Sequence, residues 1–215
     1  MNEIETQNQE ELNPLLTLWL HPKKTTRYVL DKKSLLYVIL FLCLGYIGSG
    51  FTGFIDWDIY PEFPLWGILL ITLILSPILG IISTAFSALC IWLIGKIFKG
   101  KATFQQTFKA ISLSAWPFII LIPIYIIWML VDPNSLFNIS IHFGIISIIG
   151  ILFTIVVTIW SIVIAICAIA EAHQFSNWKS FFTLLLLTLI IFIILFAIGI
   201  LIGIIAILFG IALMA

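Results

Sequence analysis

Five long stretches of this chain carry no charged side chain, and they constrain its fold more than any other feature. The uncharged runs cover residues 34–55, 63–95, 110–131, 133–170 and 180–215. A helix that crosses about 30 Å of hydrocarbon needs about 20 largely apolar residues, so each run is long enough for one crossing. A charge at mid-bilayer costs roughly 2.5–3.5 kcal/mol, so we expect charged residues to mark the ends of the spans. The sequence therefore predicts five transmembrane helices.

Composition excludes the soluble classes of protein. Hydrophobic residues make up 62% of the chain and charged residues only 9%, whereas a soluble domain carries roughly 25% charge. Ten basic and ten acidic residues cannot cover a water-facing surface. A soluble enzyme, a nucleic-acid binder and a disordered protein are thereby excluded. The predicted fold class is an all-α integral membrane protein, with a short interfacial amphipathic segment before its five transmembrane helices.

The chain divides into three parts by sequence. Residues 1–12 are predicted to be a mobile polar tail, residues 13–33 a cytoplasmic interfacial helical segment, and residues 34–215 the membrane domain. The predicted spans are about 35–55, 66–95, 110–131, 143–170 and 181–207. Asn13-Pro14 is typical of a helix start, and His21-Pro22 should break that helix. An equally good reading of residues 13–33 is that they only anchor the first span.

The basic residues predict the orientation in the membrane. All ten precede the first span, lie between the second and third, or lie between the fourth and fifth: Lys23, Lys24, Arg27, Lys32, Lys33, Lys96, Lys99, Lys101, Lys109 and Lys179. The loops of the other face hold only acidic residues: Asp56, Asp58, Glu62 and Asp132. Basic loops stay cytoplasmic. The predicted N-terminus is therefore cytoplasmic and the predicted C-terminus extracytoplasmic.

Two sequence patterns predict how the helices bend and pack. Pro117 and Pro123 in the third span should each bend the helix, since proline removes a backbone hydrogen bond. Small residues spaced four apart allow close helix approach, and they occur at Ser49/Gly53, Ser83/Ser87 and Gly199/Gly203.

No pattern predicts catalysis. The cores of the five runs lack Asp, Glu, Lys and Arg, and the chain has no His-Glu-x-x-His, Gly-x-Ser-x-Gly or Gly-rich phosphate loop. Cys43, Cys90 and Cys167 all lie in apolar runs, which favours buried thiols over disulfides. We predict no catalytic, cofactor-binding or metal-binding residue, no cofactor and no enzymatic activity.

Three polar segments carry a resemblance to a known family. They are Trp19-x-x-Pro22-x-x-Thr25, then Gly100 to Phe108 followed by Ala115-Trp116-Pro117, and Glu171-x-His173-x-Phe175-Ser176-x-Trp178-Lys179. With five spans and a cytoplasmic N-terminus, the chain resembles the Yip family of Ypt/Rab-interacting membrane proteins, and its lysine- and isoleucine-rich composition favours the bacterial branch. The resemblance implies a role of the vesicle-traffic type. In eukaryotic members it implies contact with prenylated Rab GTPases through an Asp-Leu-Tyr-Gly-Pro motif, which residues 1–34 do not contain.

The functional prediction is a non-enzymatic membrane protein that organises partners or lipids at the cytoplasmic face of a bacterial plasma membrane. The alternative is a small multi-span transporter or channel. Candidate surface residues are Trp19, Pro22, Thr25, Lys96, Lys99, Gly100, Lys101, Thr103, Glu171, His173, Trp178 and Lys179. Predicted partners are anionic lipids and an unidentified membrane or cytoplasmic protein, without nucleic acid; a homo-oligomer is compatible with the sequence. We expect Glu171 to lie near Lys96, Lys99 or Lys101, and His173 to be exposed.

Overall fold

Two short helices lead into the membrane domain. The computed structural model describes residues 12–214, with side chains described as far as residue 205, so the predicted polar tail lies outside the described residues except for its last position. Helix α1 (Pro14–Leu20) begins where the Asn13 side chain accepts a hydrogen bond from the Leu15 amide. Helix α2 (Pro22–Lys32) follows after His21. The helix start and the break predicted from the two Xaa-Pro steps are confirmed.

Within residues 12–214, five helical units are long and apolar enough to cross a membrane, which confirms the predicted fold class. They are α3 (Leu35–Thr52), α4 (Leu65–Ile97), a third unit (Phe104–Val131), α8 (Ile145–His173) and α9 (Asn177–Met214). The third unit is composite, with α5 (Phe104–Ser112), a 3-10 segment (Leu113–Ile120) and α6 (Leu121–Val131). A short helix, α7 (Pro133–Phe137), follows it.

The third unit begins six residues before its predicted start at residue 110. Thr103 and Gln106 form a capping box, in which each side chain bonds the backbone amide of the other, and such a box starts a helix efficiently. Lys109 consequently lies inside α5 and is only 8% exposed. The expectation that charges mark the ends of the spans is wrong at this position.

The 3-10 segment lies at the centre of the bundle. A Cβ added to Gly45 or Gly48 of α3 would collide with the carbonyls of Ala115 and Phe118, so the two backbones touch directly. Pro117 lies within this segment, and since proline has no N–H, the carbonyl of Ser114 loses its 3-10 partner. The hydroxyl of Ser161 on α8 donates to that carbonyl at 2.6 Å, as neighbouring helices often do around prolines in membranes.

Of the two prolines predicted to bend the third span, only Pro117 lies in irregular helix. Pro123 is the third residue of α6, where an α-helix does not require the N–H that proline lacks.

Helix α9 contacts α8 and α4 near its start and then stands apart from the other helices. Only 6% of its most apolar window is buried, and a Cβ added to Gly199 or Gly203 would meet nothing within 4 Å. The prediction that this glycine pair packs against another helix is therefore wrong within the chain. Gly45 and Gly48, which do allow close approach of two backbones, are spaced three apart.

Candidate functional site

The three segments that carry the basic residues meet at one end of the bundle. The Lys109 ammonium donates to the carbonyl of Lys33 at 2.6 Å, which ties α5 to the end of α2. The Lys101 amide donates to the carbonyl of His173 at 3.1 Å, which ties the loop after α4 to the end of α8. We call residues 13–33, 96–109 and 171–179 together the basic end.

The acidic loops meet at the opposite end. Asp56 accepts hydrogen bonds from the amide and hydroxyl of Ser140, each at 3.2 Å. Asp58 accepts one from the Asn138 side chain at 2.7 Å. The loops after α3 and after α7 are therefore held together by carboxylates, and the two signs of charge in the loops between spans lie at opposite ends of the bundle.

Two helices end at the basic end in the same way. The amides of Lys99 and Gly100 donate to the carbonyls of Lys96 and Gly95, and those of Gln174 and Phe175 to Glu171 and Ala170. These are the paired bonds of a Schellman motif, which satisfies the last carbonyls of a helix. Lys99 and Gln174 take the left-handed position, with φ of 61° and 55°, which non-glycine residues adopt at some cost.

His173 lies in the interior of the basic end. It is fully buried, whereas the sequence predicts an exposed histidine. Its Nε2 lies 3.2 Å from the Thr107 hydroxyl, and its ring stacks on Phe175 at 5.1 Å. Because that hydroxyl also donates to the Thr103 carbonyl at 3.0 Å, it has no second proton and must accept from Nε2–H. His173 is buried because α8 ends where Gly100 leaves a space without a side chain.

Among the described residues, the other nitrogen of His173 has no hydrogen-bond partner. Nδ1 is buried, and it faces Gly95 and Gly100, where an added Cβ would collide with the imidazole. A buried polar atom without a partner costs about 1–3 kcal/mol. The ring therefore occupies this space through shape and stacking, with one hydrogen bond to orient it.

Glu171 has a different partner from the one predicted. Its Oε1 accepts a hydrogen bond from Arg27 Nε at 2.7 Å and lies 2.6 Å from Arg27 Nη2. The charge of the Glu171 carboxylate is therefore compensated by Arg27, and not by Lys96, Lys99 or Lys101 as expected. Residues two apart on a helix do not share a face, so Glu171 points towards α2 while His173 points towards α4 and α5. The Arg27 side chain is 72% exposed and that of Glu171 16%.

The remaining candidate residues have separate structural roles. The hydroxyl of buried Thr25 lies 3.0 Å from both the Thr17 hydroxyl and the His21 carbonyl and shares its one proton between them, which holds α1 against α2. Pro22 begins α2, Trp19 is half-buried on α1, and Thr103 caps α5. Lys96 donates to the Gly100 carbonyl at 3.4 Å.

The structure therefore brings Lys96, Gly100, Lys101 and His173 together. Trp178, 72% exposed, packs its edge on Phe181 at the start of α9. The neighbouring Lys179 is also exposed there, so these two residues stand beside the group formed around His173.

Sequence reasoning missed the residues that hold these groups. Arg27, the only arginine of the chain, was a usable signal, since arginine suits paired contacts with a carboxylate. Thr107 and Gly95 carry no such signal, because their importance comes only from the approach of His173. Among the described residues, no group of three His, Cys, Asp or Glu side chains is placed to hold a metal ion.

In the described part of the chain, two cavities have polar groups in their walls. One, of about 470 Å³, lies at the basic end and is lined by Arg27, Leu30, Asp31, Gln106, Ala170, Glu171, Ala172, Gln174 and Phe175. The other, of about 150 Å³, lies beside the 3-10 segment and is lined by Tyr46, Ser49, Ser114, Ala115, Phe118 and Ser161. The first combines charged groups with apolar walls, and the second offers only uncharged ones.

These features define a class of protein: a multi-pass helical membrane protein with its charges divided between two ends. A comparison with models of protein families identifies the family within this class: the model of the Yip1 domain matches residues 16–199. The chain belongs to the Yip family. No curated protein and no solved structure matches it.

Proposed function

We propose that this chain is a non-enzymatic membrane protein that organises anionic lipids at the cytoplasmic face through its basic end. The observation that carries the proposal is the number of exposed cations there. Eight of the ten basic residues are exposed at this end: Lys23, Lys24, Arg27, Lys32, Lys96, Lys99, Lys101 and Lys179. The other two serve the fold, since Lys109 bonds the Lys33 carbonyl and Lys33 lies over the rings of Tyr28 and Tyr37.

The proposal has a simple energetic basis. A basic side chain near an anionic leaflet contributes about 1 kcal/mol, so several on one surface would give a clear preference for anionic lipids. Hydrogen bonds between α2, α5 and α8 hold this surface together, so its charges act as a group.

The same proposal sets the location of the protein. Basic loops remain on the cytoplasmic side, which favours a cytoplasmic N-terminus, an extracytoplasmic C-terminus and, for a chain of the bacterial Yip branch, the plasma membrane. A protein partner with an acidic surface would use the same charges. The absence of charged groups in the span cores supports a role without catalysis.

Spin-labelled lipids would test the preference. The protein is reconstituted in vesicles of phosphatidylcholine and phosphatidylglycerol, and electron paramagnetic resonance measures the fraction of each labelled lipid held at the protein surface. We expect phosphatidylglycerol to be preferred at low salt. The preference should fall in high salt, because the screening length shrinks from about 10 Å at 0.1 M to 3 Å at 1 M.

Two matched variants separate charge from fold. Lys23, Lys24 and Lys32 are exposed and make no hydrogen bond or ion pair within the described part of the chain. Changing all three to Gln should reduce the preference for phosphatidylglycerol, whereas changing all three to Arg should keep it. Equal binding of both lipids by the wild type would contradict the proposal.

A second candidate function, transport of a small uncharged solute, has one observation in its favour. The 150 Å³ cavity beside the 3-10 segment is lined by hydroxyl groups of α3, the 3-10 segment and α8. A water molecule takes about 30 Å³ of liquid volume, so the cavity has room for about five waters. Solute flux into proteoliposomes beyond the empty-vesicle rate would favour transport, and flux equal to that rate would favour the lipid-organising function.

A further inference from the structure

The 470 Å³ cavity at the basic end has properties that the proposed lipid-organising function does not use. It is lined by side chains of α2 and α5 and by the last turn of α8 with the residues after it. Its polar lining comprises Arg27, Asp31, Gln106, Glu171 and Gln174, and its apolar walls include Leu30 and Phe175. Although it lies among basic residues, its own lining is not basic.

The cavity carries an excess of negative charge. Asp31 and Glu171 contribute two carboxylates and Arg27 one guanidinium, so the formal charge is −2 + 1 = −1. Only Oε1 of Glu171 bonds Arg27, and among the described residues Asp31 has no ion pair. Both oxygens of the Asp31 carboxylate and the second oxygen of the Glu171 carboxylate are therefore free to accept hydrogen bonds from a ligand.

The backbone adds to this negative potential. Two helices end at the cavity, α8 with its last turn and α2 with Asp31, whereas one begins there, α5 with Gln106 in its first turn, so carbonyl ends outnumber amide ends. The carbonyl end of a helix carries about half a negative charge, which favours a cation. The site thus attracts a positive group, although the seven other exposed cations of the basic end attract anions.

The lining also selects the kind of cation. Carboxylates and carboxamide oxygens accept hydrogen bonds, and a primary ammonium group has three N–H donors to give them. A quaternary ammonium group has none, and it is usually recognised by a cage of several aromatic rings. This cavity has one aromatic ring, Phe175, so its chemistry fits a primary ammonium group.

The cavity lies where a lipid headgroup would lie. One wall of it is formed by α2, the helix that carries Lys32 ahead of the first span, and Leu30 and Phe175 form apolar walls. Arg27 bonds Glu171 through Nε and Nη2, which leaves Nη1 available for a phosphate. We propose that this cavity binds the headgroup of an ethanolamine phospholipid, with the ammonium on Asp31 and Glu171 and the phosphate on Arg27.

The inference rests on the proposed lipid-organising function and adds a lipid class for one site. Its test uses phosphatidylethanolamine and phosphatidylcholine, which have the same net charge, so attraction of anionic lipids by the exposed lysines does not contribute. Full-length protein in mild detergent is given both lipids at equal concentration, and native mass spectrometry measures the ratio of the two bound species. We expect phosphatidylethanolamine to exceed phosphatidylcholine by about tenfold, equivalent to ~1.4 kcal/mol.

Asp31→Asn is the decisive variant. The amide has the shape of the carboxylate, and Asp31 is exposed, so the melting temperature should not change. The preference for phosphatidylethanolamine should fall to about twofold or less. Glu62→Gln is the matched control, since Glu62 is an exposed carboxylate at the acidic end, and it should keep the tenfold preference.

Three results would overturn the inference. They are equal binding of the two lipids by the wild type, an unchanged preference in Asp31→Asn, and soluble phosphoethanolamine competing as strongly as the lipid, which would make the ligand a free amine. If phosphatidylethanolamine is preferred over phosphatidylcholine but phosphatidylglycerol is not, the lipid-organising function proposed for the exposed lysines is contradicted. The same result supports the proposed headgroup site in the cavity.

Discussion

Gly100 lies directly against the imidazole of His173, and a Cβ on Gly100 would collide with Nδ1 of that ring. The contact joins the loop after α4 to the last residue of α8, beside the hydrogen bond from the Lys101 amide to the His173 carbonyl. The basic end is therefore held together by shape as well as by hydrogen bonds, and a single methyl group is enough to disturb it.

Gly100→Ala should destabilise the protein by about 1–3 kcal/mol, the usual cost of forcing extra atoms into a packed site. Thermal unfolding in detergent, followed by circular dichroism, measures the change. Gly199→Ala is the control, because a Cβ there meets nothing within 4 Å, and it should not lower the unfolding temperature, since alanine is the better helix former. Equal unfolding temperatures for Gly100→Ala and the wild type would show that the ring and the loop do not pack as described.

Thr107→Val tests the single hydrogen bond of the His173 ring. Valine keeps the shape of threonine but leaves Nε2–H buried without an acceptor, which costs about 1–3 kcal/mol. Thr188→Val removes an exposed hydroxyl that bonds only the Leu184 carbonyl of its own helix, and it should change stability by less than ~0.5 kcal/mol. Equal losses of stability in both variants would mean that the hydrogen bond between Thr107 and His173 makes no contribution of its own to stability.

The helical units follow from the sequence because each depends on local or additive properties. Hydropathy summed over about 20 residues predicts the five spans, and Asn13-Pro14 and His21-Pro22 predict the helix ends through backbone chemistry alone. The third unit departs from the prediction because Thr103 and Gln106 form a capping box ahead of Lys109. A buried lysine is then stabilised by carbonyls of α2, which lie far away in sequence.

The candidate site is less predictable because its contacts join distant segments. Charge patterns place Glu171 among cations but do not say which one, and the structure pairs it with Arg27 across 144 positions. The burial of His173 depends on Gly95 of α4, Gly100 of the loop that follows it and Thr107 of α5. No local property of residues 171–179 contains that information, so only the assembled bundle reveals it.

The orientation in the membrane has a direct test. In a background without Cys43, Cys90 and Cys167, single cysteines at Glu62 and Asn134 should react with a membrane-impermeant thiol reagent in intact cells, whereas cysteines at Thr103 and Ser176 should react only after lysis. All four positions are exposed, so accessibility within the fold is matched. Labelling of position 103 or 176 in intact cells would contradict either the predicted orientation or the five-span arrangement.

Ser161→Ala tests how the membrane core tolerates Pro117. The Ser161 hydroxyl donates to the Ser114 carbonyl at 2.6 Å, the carbonyl that lacks a partner because residue 117 has no N–H. Hydrogen bonds between membrane helices average about 0.6 kcal/mol and reach about 1.7, so the variant should lose stability within that range.

The loss should depend on the proline. In a Pro117→Ala background, the new amide of residue 117 takes the Ser114 carbonyl as its 3-10 partner, so Ser161→Ala should cost less than it does in the wild type. The difference between the losses of stability in the two backgrounds is the coupling energy of a double-mutant cycle. Only residues that interact give a coupling energy clearly above ~0.5 kcal/mol. Pro123→Ala is the matched background, because Pro123 lies in the first turn of α6. The Ser161 hydroxyl bonds the carbonyl of Ser114 and not a carbonyl next to Pro123. Equal coupling in the two backgrounds would mean that Ser161 stabilises the bundle independently of the backbone gap at Pro117.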